Sequence, residues 1–469
     1  MSQPDHPELA EAPELSEPVQ PKVKLGIWEL AWPSILTNLL FSVIGIVSIK
    51  IVGTLGADAV AAVTTGHRIF FALQAILMAI SAGTTALVAR AWGAEDYQEA
   101  AKVTSVSLWI SNAVALLLMV PCLIFPYEIA SIFGLAEGPT SLAADFIFYM
   151  SMFNLAFSLN MILGAALRAA GDTRTPLWIG IVTNIVNVIL VYLLVHGLYG
   201  FPELGVTGAA LANGISFLAG GLIFLYLYYS GRMKLAAGGK GSVTEGRVRQ
   251  LVHIGYPAGI EQFVFQVGFI AFLWLVAFYG TAPYAAYGVG VQILSISFVV
   301  GFGFSIAGAT LVGQNLGAGD NEGAAKSGWN ALWLAIASMV LLSIVIATFA
   351  EEIARYLIDD DEVVRLTVVF INIMALVQPL MAIEFTLGGC LRGAGDTRFP
   401  LITTMVGLCG VRVGLAGLFV ILDLPVEWIY AALIGDYVVK AAMLTYRFRS
   451  GRWQQVFLES EEKFASFDR

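Results

Sequence analysis

Charge is what this chain has least of. Asp, Glu, Lys and Arg make up 13% of its 469 residues, against 58% apolar. A soluble domain cannot hide that much apolar surface, so lipid is the solvent for most of the protein. Cysteine is nearly absent, and Cys122, Cys390 and Cys409 lie in or beside apolar runs. Their spacing suits neither a zinc site nor a disulfide framework, so they read as small buried hydrophobes. The four histidines, His6, His67, His196 and His253, are scattered and mostly near the ends of apolar runs. No metal-ligand cluster and no nucleophile–base set forms, so the chain is not read as an enzyme. A P-loop for ATP is also missing. The net charge of −9 owes much to acidic tails and says little about partners; no nucleic-acid partner is expected.

What is present is a series of long apolar runs, without the period-two alternation of barrel strands. A span needs about 20 apolar residues. Twelve fit, at about 28–52, 59–88, 100–121, 140–167, 176–198, 205–229, 250–278, 283–313, 325–349, 364–390, 399–422 and 427–448. The fold expected is all-α and polytopic. Lys and Arg crowd the N-terminal tail, alternate loops and the segment after Arg447, which places both tails in the cytoplasm; only Arg355 and Arg365 break that pattern.

One polar stretch occurs twice. Leu167-Arg168-Ala169-Ala170-Gly171-Asp172-Thr173-Arg174-Thr175-Pro176 is echoed by Leu391-Arg392-Gly393-Ala394-Gly395-Asp396-Thr397-Arg398-Phe399-Pro400, and 391 − 167 = 224. At the same offset Pro33 matches Pro257, and Gly56 matches Gly280. Each half holds six spans, so the halves face the same way, related by an axis along the membrane normal. The expected layout is a disordered cytoplasmic tail at 1–24, an N-terminal six-helix lobe at 25–230 and a linker at 231–247. A C-terminal lobe at 248–448 and a second cytoplasmic tail at 449–469 complete it. The doubled loop carries charged residues, a helix-ending Gly and a Pro at the next helix start. Its expected role is to fix the turn.

The doubled Leu-Arg-(Gly/Ala)-Ala-Gly-Asp-Thr-Arg-x-Pro, with Leu311-Val312-Gly313-Gln314-Asn315-Leu316-Gly317-Ala318 after the eighth span, resembles the multidrug and toxic compound extrusion family. That resemblance implies two six-helix lobes in a V around a central cavity. It implies export of organic cations or other amphipathic compounds against H⁺ or Na⁺. No other cofactor is implied. A lipid-linked oligosaccharide flippase of the same superfamily is the alternative. A small amphipathic substrate and membrane lipid are the expected partners, the inner membrane the expected location and a monomer the expected state. Some branches of the family carry aspartates in the first and fifth helices. Here Ser48 and Val191 stand in those places, so the cation site of those branches lacks its carboxylates.

An ionisable side chain in hydrocarbon is costly and marks a candidate site. Glu261, on the seventh span, and Glu384, on the tenth, are the candidates for binding an ion or a cationic substrate. A structural bridge is the competing reading. Their repeat partners are Thr37 and Asn160, so this charge belongs to the second half alone. Arg412, mid-span, needs a carboxylate, and Asp436 and Glu384 are both candidates. It reads as a coupling or structural residue, as many family members carry an arginine there. Arg68, beside His67, lies too deep to reach water unless it faces a cavity. It can gate by meeting a carboxylate of the other lobe, or bind an anionic group of a substrate. Asn38, Asn184, Asn187, Gln262, Gln266, Gln292 and Gln378 are candidate cavity-lining amides. The stripe through Gln262 and Gln266 competes with the one through Glu261 and Phe265 for the cavity face.

Overall fold

A computed structural model describes residues 26–235 and 243–458. The tail expected at 1–24, the middle of the expected linker and the last eleven residues lie outside the described residues. Among the described residues eleven helices are long and apolar enough to cross a membrane, and a twelfth span follows if one bent pair is counted as a single span.

The first lobe contains α1 (Ile27–Gly53), α2 (Ala57–Gly93), α3 (Tyr97–Ile124), the short α4 (Pro126–Ser131), α5 (Glu137–Ser151), α6 (Asn154–Ala169), α7 (Arg174–His196) and α8 (Gly205–Tyr229). The second contains α9 (Glu245–Ala277), α10 (Thr281–Gly317), α11 (Asn321–Thr348), the short α12 (Ala350–Leu357), α13 (Asp361–Gly393), α14 (Arg398–Thr404), α15 (Gly414–Ile421) and α16 (Val426–Arg449). A π-helical segment, Met405–Val413, joins α14 to α15.

The repeat is visible in the helix ends. α10 starts 281 − 57 = 224 residues after α2, and α11 starts 321 − 97 = 224 residues after α3. The doubled loops share one geometry. Gly171 and Gly395 take φ of +79° and +87°, where a Cβ would be strained. Asp172 N–H reaches back to the Leu167 carbonyl at 2.8 Å, and Asp396 N–H to the Leu391 carbonyl at 2.9 Å. This six-residue closure satisfies the carbonyls left free where the helix ends.

Three local features depart from the sequence reading. The fourth span is broken, with α5 and α6 meeting at 56°. Asn154 holds the break: it accepts from Gln74 Nε2 at 3.0 Å and donates to the Ala115 carbonyl at 2.8 Å. The eleventh span widens into the π-helical segment. Cys409, on that segment, is exposed, whereas Cys122 and Cys390 are buried.

The membrane face bearing both doubled loops, the end of α8 and the start of α9 is the linker face. Residues 450–458 fold back across it. Trp453 is 0% exposed, stacked on Phe448 of the second lobe. Phe457 packs in the first-lobe core, with the Arg90 guanidinium 4.1 Å from its ring centre. This segment, read from sequence as part of a tail, straps the lobes together.

Candidate functional site

The lobes meet through α1, α2, α9 and α10, and the contacts lie toward the linker face. Thr310 Oγ1 donates to the Arg168 carbonyl at 3.1 Å, and Gln314 Nε2 to the Ala169 carbonyl at 2.7 Å. The first doubled loop is therefore a docking point for the other lobe as well as a turn. Gly93 lies against the Gln314 carbonyl and Gly317 against the Arg90 carbonyl. These two contacts are images of each other, since 317 − 93 = 224 and 314 − 90 = 224. Further in, Gly255 packs on the Ala79 carbonyl, where a Cβ would lie 2.6 Å away, and Gly303 on the Ala31 carbonyl, where it would lie 3.2 Å away.

Helical periodicity carries each contact face beyond these points. On α2 the stripe through Gly83, Ala79 and Ala75 continues to Ala72 and Arg68, both exposed. On α10 the stripe through Gly303 continues to Ile296 and Gln292, both exposed. On α9 Gly255 and Gly259 lead to Gln262 and Gln266, and on α1 Ala31 and Ile35 lead to Asn38 and Ser42. By helical periodicity the same faces run on past the last cross-lobe contact, away from the linker face, as the candidate walls of a cleft.

The candidate charged residues of the second lobe form two clusters. Glu261 accepts from Arg392 Nη1 at 3.0 and 3.3 Å and from Thr404 Oγ1 at 3.3 Å. Arg412 is ion-paired with Asp436. Lys440 lies 3.3 Å from Asp436 and 2.9 Å from Glu384. The π-helical segment makes room for this quartet at Gly407, where a Cβ would fall 2.8 Å from Lys440 Cε and closer to Asp436. Tyr437 lies beside both cations, its ring centre 5.3 Å from the Arg412 guanidinium carbon and 5.4 Å from Lys440 Nζ. Asp436 is fully buried, while Glu384 and Glu261 keep 23% and 18% of their side chains exposed.

The MatE family model matches the chain twice, at residues 33–193 and 257–418, and 257 − 33 = 224. The chain belongs to the MatE family. A probable multidrug resistance protein NorM of Thermotoga maritima is 30% identical, covering 94% of this chain and 96% of its own length. Another of that description, from Bradyrhizobium diazoefficiens, is 29% identical over 90% of this chain and 92% of its own length. A solved MATE structure in complex with MaL6 superposes with a TM-score of 0.85 at 18% identity, over 91% of this chain and 96% of that one. An outward-facing multidrug resistance MATE transporter gives 0.84 at 19% identity, over 91% and 96%. The two-lobed helical bundle expected from the doubled loop is the fold of this MatE chain.

Within that fold the candidate residues separate into two groups. Arg68, Gln292, Gln262, Gln266 and Asn38 lie on the cleft faces. On α9 the stripe through Gln262 and Gln266 continues the cross-lobe contact face, and Glu261 turns to Arg392. Asn184, Asn187 and Gln378 are buried inside their lobes. Asn187 donates to Asn213 Oδ1 at 2.7 Å, and Gln378 to Ser297 Oγ at 3.0 Å, so both clasp helices and do not line the cleft. His67 packs with its ring centre 5.0 Å from that of Phe146. Arg412 takes Asp436, not Glu384, as its direct partner. The loop charges also pair differently from a simple turn. Asp172 caps α7 through Thr175, while Asp396 accepts from Arg447 at 2.7 Å.

Two participants escaped the sequence reading. Lys440 sits in the last span and Arg392 in the doubled loop, and each holds one of the candidate glutamates. The available signal was the repeat: α8, the counterpart of the last span, carries no charge, and the repeat partner of Arg392 is Arg168, which has Thr37 where Glu261 would be.

Proposed function

We propose that this MatE transporter is a secondary active exporter of amphipathic compounds. The lobes alternate between closure at the linker face, as here, and closure at the far face. The linker face is cytoplasmic, both termini lie on that side, and the membrane is the inner membrane. Inward flow of H⁺ or Na⁺ drives the cycle.

The observation that carries this reading is the quartet of Arg412, Asp436, Lys440 and Glu384 in a lobe whose repeat partner is neutral. At the 224 offset Arg412 and Glu384 correspond to Val188 and Asn160, and α8, the counterpart of α16, carries no charged residue. Buried charges confer little net stability over apolar packing. An asymmetric set of them, with a partly exposed glutamate at each cluster, suits ion exchange. In the state described, Lys440 occupies Glu384 and Arg392 occupies Glu261. An ion arriving at either carboxylate displaces its cationic partner and weakens the tie between α13 and α16, or between α9 and α13. A ligand shifts a conformational equilibrium only by its difference in affinity for the two states. Ion pairs formed in one state and opened in the other supply that difference. Gradient-driven movement of a fluorescent substrate into proteoliposomes, with H⁺ and Na⁺ gradients imposed separately, tests the reading. One gradient is expected to drive accumulation, and no response to either would reject it.

A flippase for lipid-linked oligosaccharides is the second reading. The exposed Arg68 on the cleft face favours it, because lipid diphosphates are anionic. An envelope defect in an Arg68→Ala strain, without loss of drug resistance, would select it.

A further inference from the structure

Polarity sets the two faces of the cleft apart from the rest of the second lobe. The stripes of α1, α2, α9 and α10 that continue the cross-lobe contacts carry one charge among the described residues, Arg68. No carboxylate pairs with it there. Its image across the pseudo-two-fold axis is Gln292 (292 − 68 = 224), also exposed. Gln262, Gln266 and Asn38 supply amide groups on the facing helices. Glu261 and Glu384, the candidate carboxylates, are each occupied by a basic partner of their own lobe. Exposed Phe71 and Phe263 flank the polar groups with apolar surface.

From this arrangement we infer that the cleft receives amphipathic compounds bearing an anionic group, with Arg68 as the residue that selects them. The inference rests on the exporter reading and narrows its substrate class. A free cation in the cleft would meet Arg68 and no free carboxylate. A sulfonate, carboxylate or phosphate ester meets a planar guanidinium that donates two parallel hydrogen bonds. Amide N–H groups on α9 and α10 take the remaining oxygens. The apolar part of the compound lies on the phenylalanines.

The test is equilibrium binding to the purified full-length protein in phosphatidylcholine nanodiscs, using naphthalene-2-sulfonate and the matched cation 2-naphthyltrimethylammonium. Wild type is expected to bind the sulfonate saturably and to favour it over the ammonium. Arg68→Gln is expected to weaken sulfonate binding about tenfold, which is about 1.4 kcal/mol. Arg68→Lys should retain part of it. Gln292→Arg, which adds the missing image charge on an exposed site, should strengthen it severalfold. Displacement of the sulfonate by phosphatidylglycerol would name a lipid headgroup as the occupant. Absence of displacement would name a free amphiphile, and both keep the anion site. Equal affinity for the two probes, or unchanged sulfonate binding in Arg68→Gln, would overturn it. Failure of the exporter reading appears separately, as binding without gradient-driven flux.

Discussion

Replacing Lys440 with Met removes one cation from a set whose formal charges cancel. Arg412 and Lys440 contribute +2, and Asp436 and Glu384 contribute −2. The variant leaves a net charge of −1 around a fully buried Asp436. Removing one partner from a buried ion pair costs about 3–5 kcal/mol. Asp436 keeps Arg412, and Glu384 is only partly buried, so the lower end, about 3 kcal/mol, applies. Adding Glu384→Gln restores the balance to zero. The first lobe carries Asn160 at the Glu384 position and no charge on α8, so the fold accommodates neutral groups there. The double variant should therefore be more stable than Lys440→Met alone, with a coupling of about 2 kcal/mol. Tryptophan-monitored thermal unfolding in detergent, run on both single variants and the double, reads the cycle. Additive losses, with the double variant the least stable of all, would refute the idea that charge balance governs this cluster.

Two further perturbations probe the linker face. Ala at Gly93 drives a Cβ into the Gln314 carbonyl, and Ala at Gly317 into the Arg90 carbonyl. Each should disfavour linker-face closure and raise thiol labelling of a Thr310→Cys reporter in a background without the native cysteines; unchanged labelling counts against this packing. Trp453→Ala empties a fully buried site, at a cost of about 3–5 kcal/mol, and Phe457→Ala removes the strap's hold on the first lobe. Both should lower the melting temperature and increase the same labelling. A lower melting temperature alone would make the segment a stabiliser of the second lobe, not a strap.

The sequence carried the architecture because its punctuation repeats. Two polar loops with a left-handed glycine stand out against apolar runs, and their offset aligns the helices of the two halves as far as α7 and α14. It also located the charge, since Glu261 and Glu384 have neutral repeat partners. Helix rotation was harder to read. In a span that is apolar all round, the lipid-facing and protein-facing sides look alike, so periodicity does not reveal which residues meet. The pairing of Lys440 with Glu384, and the inward turn of Asn187 and Gln378, depend on that rotation. The π-helical segment and the bend at Asn154 are set by tertiary contacts and leave no local pattern. Trp453 and Phe457 were passed over because they lie in a short polar stretch, although two aromatics just beyond the last span mark an anchored segment.

Coupling through the second lobe is the central claim. Its most direct test is gradient-driven substrate accumulation in proteoliposomes containing wild type, Glu261→Gln, Glu384→Gln or the double variant, with substrate binding measured in parallel. Wild type should accumulate substrate against one imposed ion gradient, and the double variant should bind substrate yet lose the gradient response. Undiminished, gradient-dependent accumulation by the double variant would contradict the account.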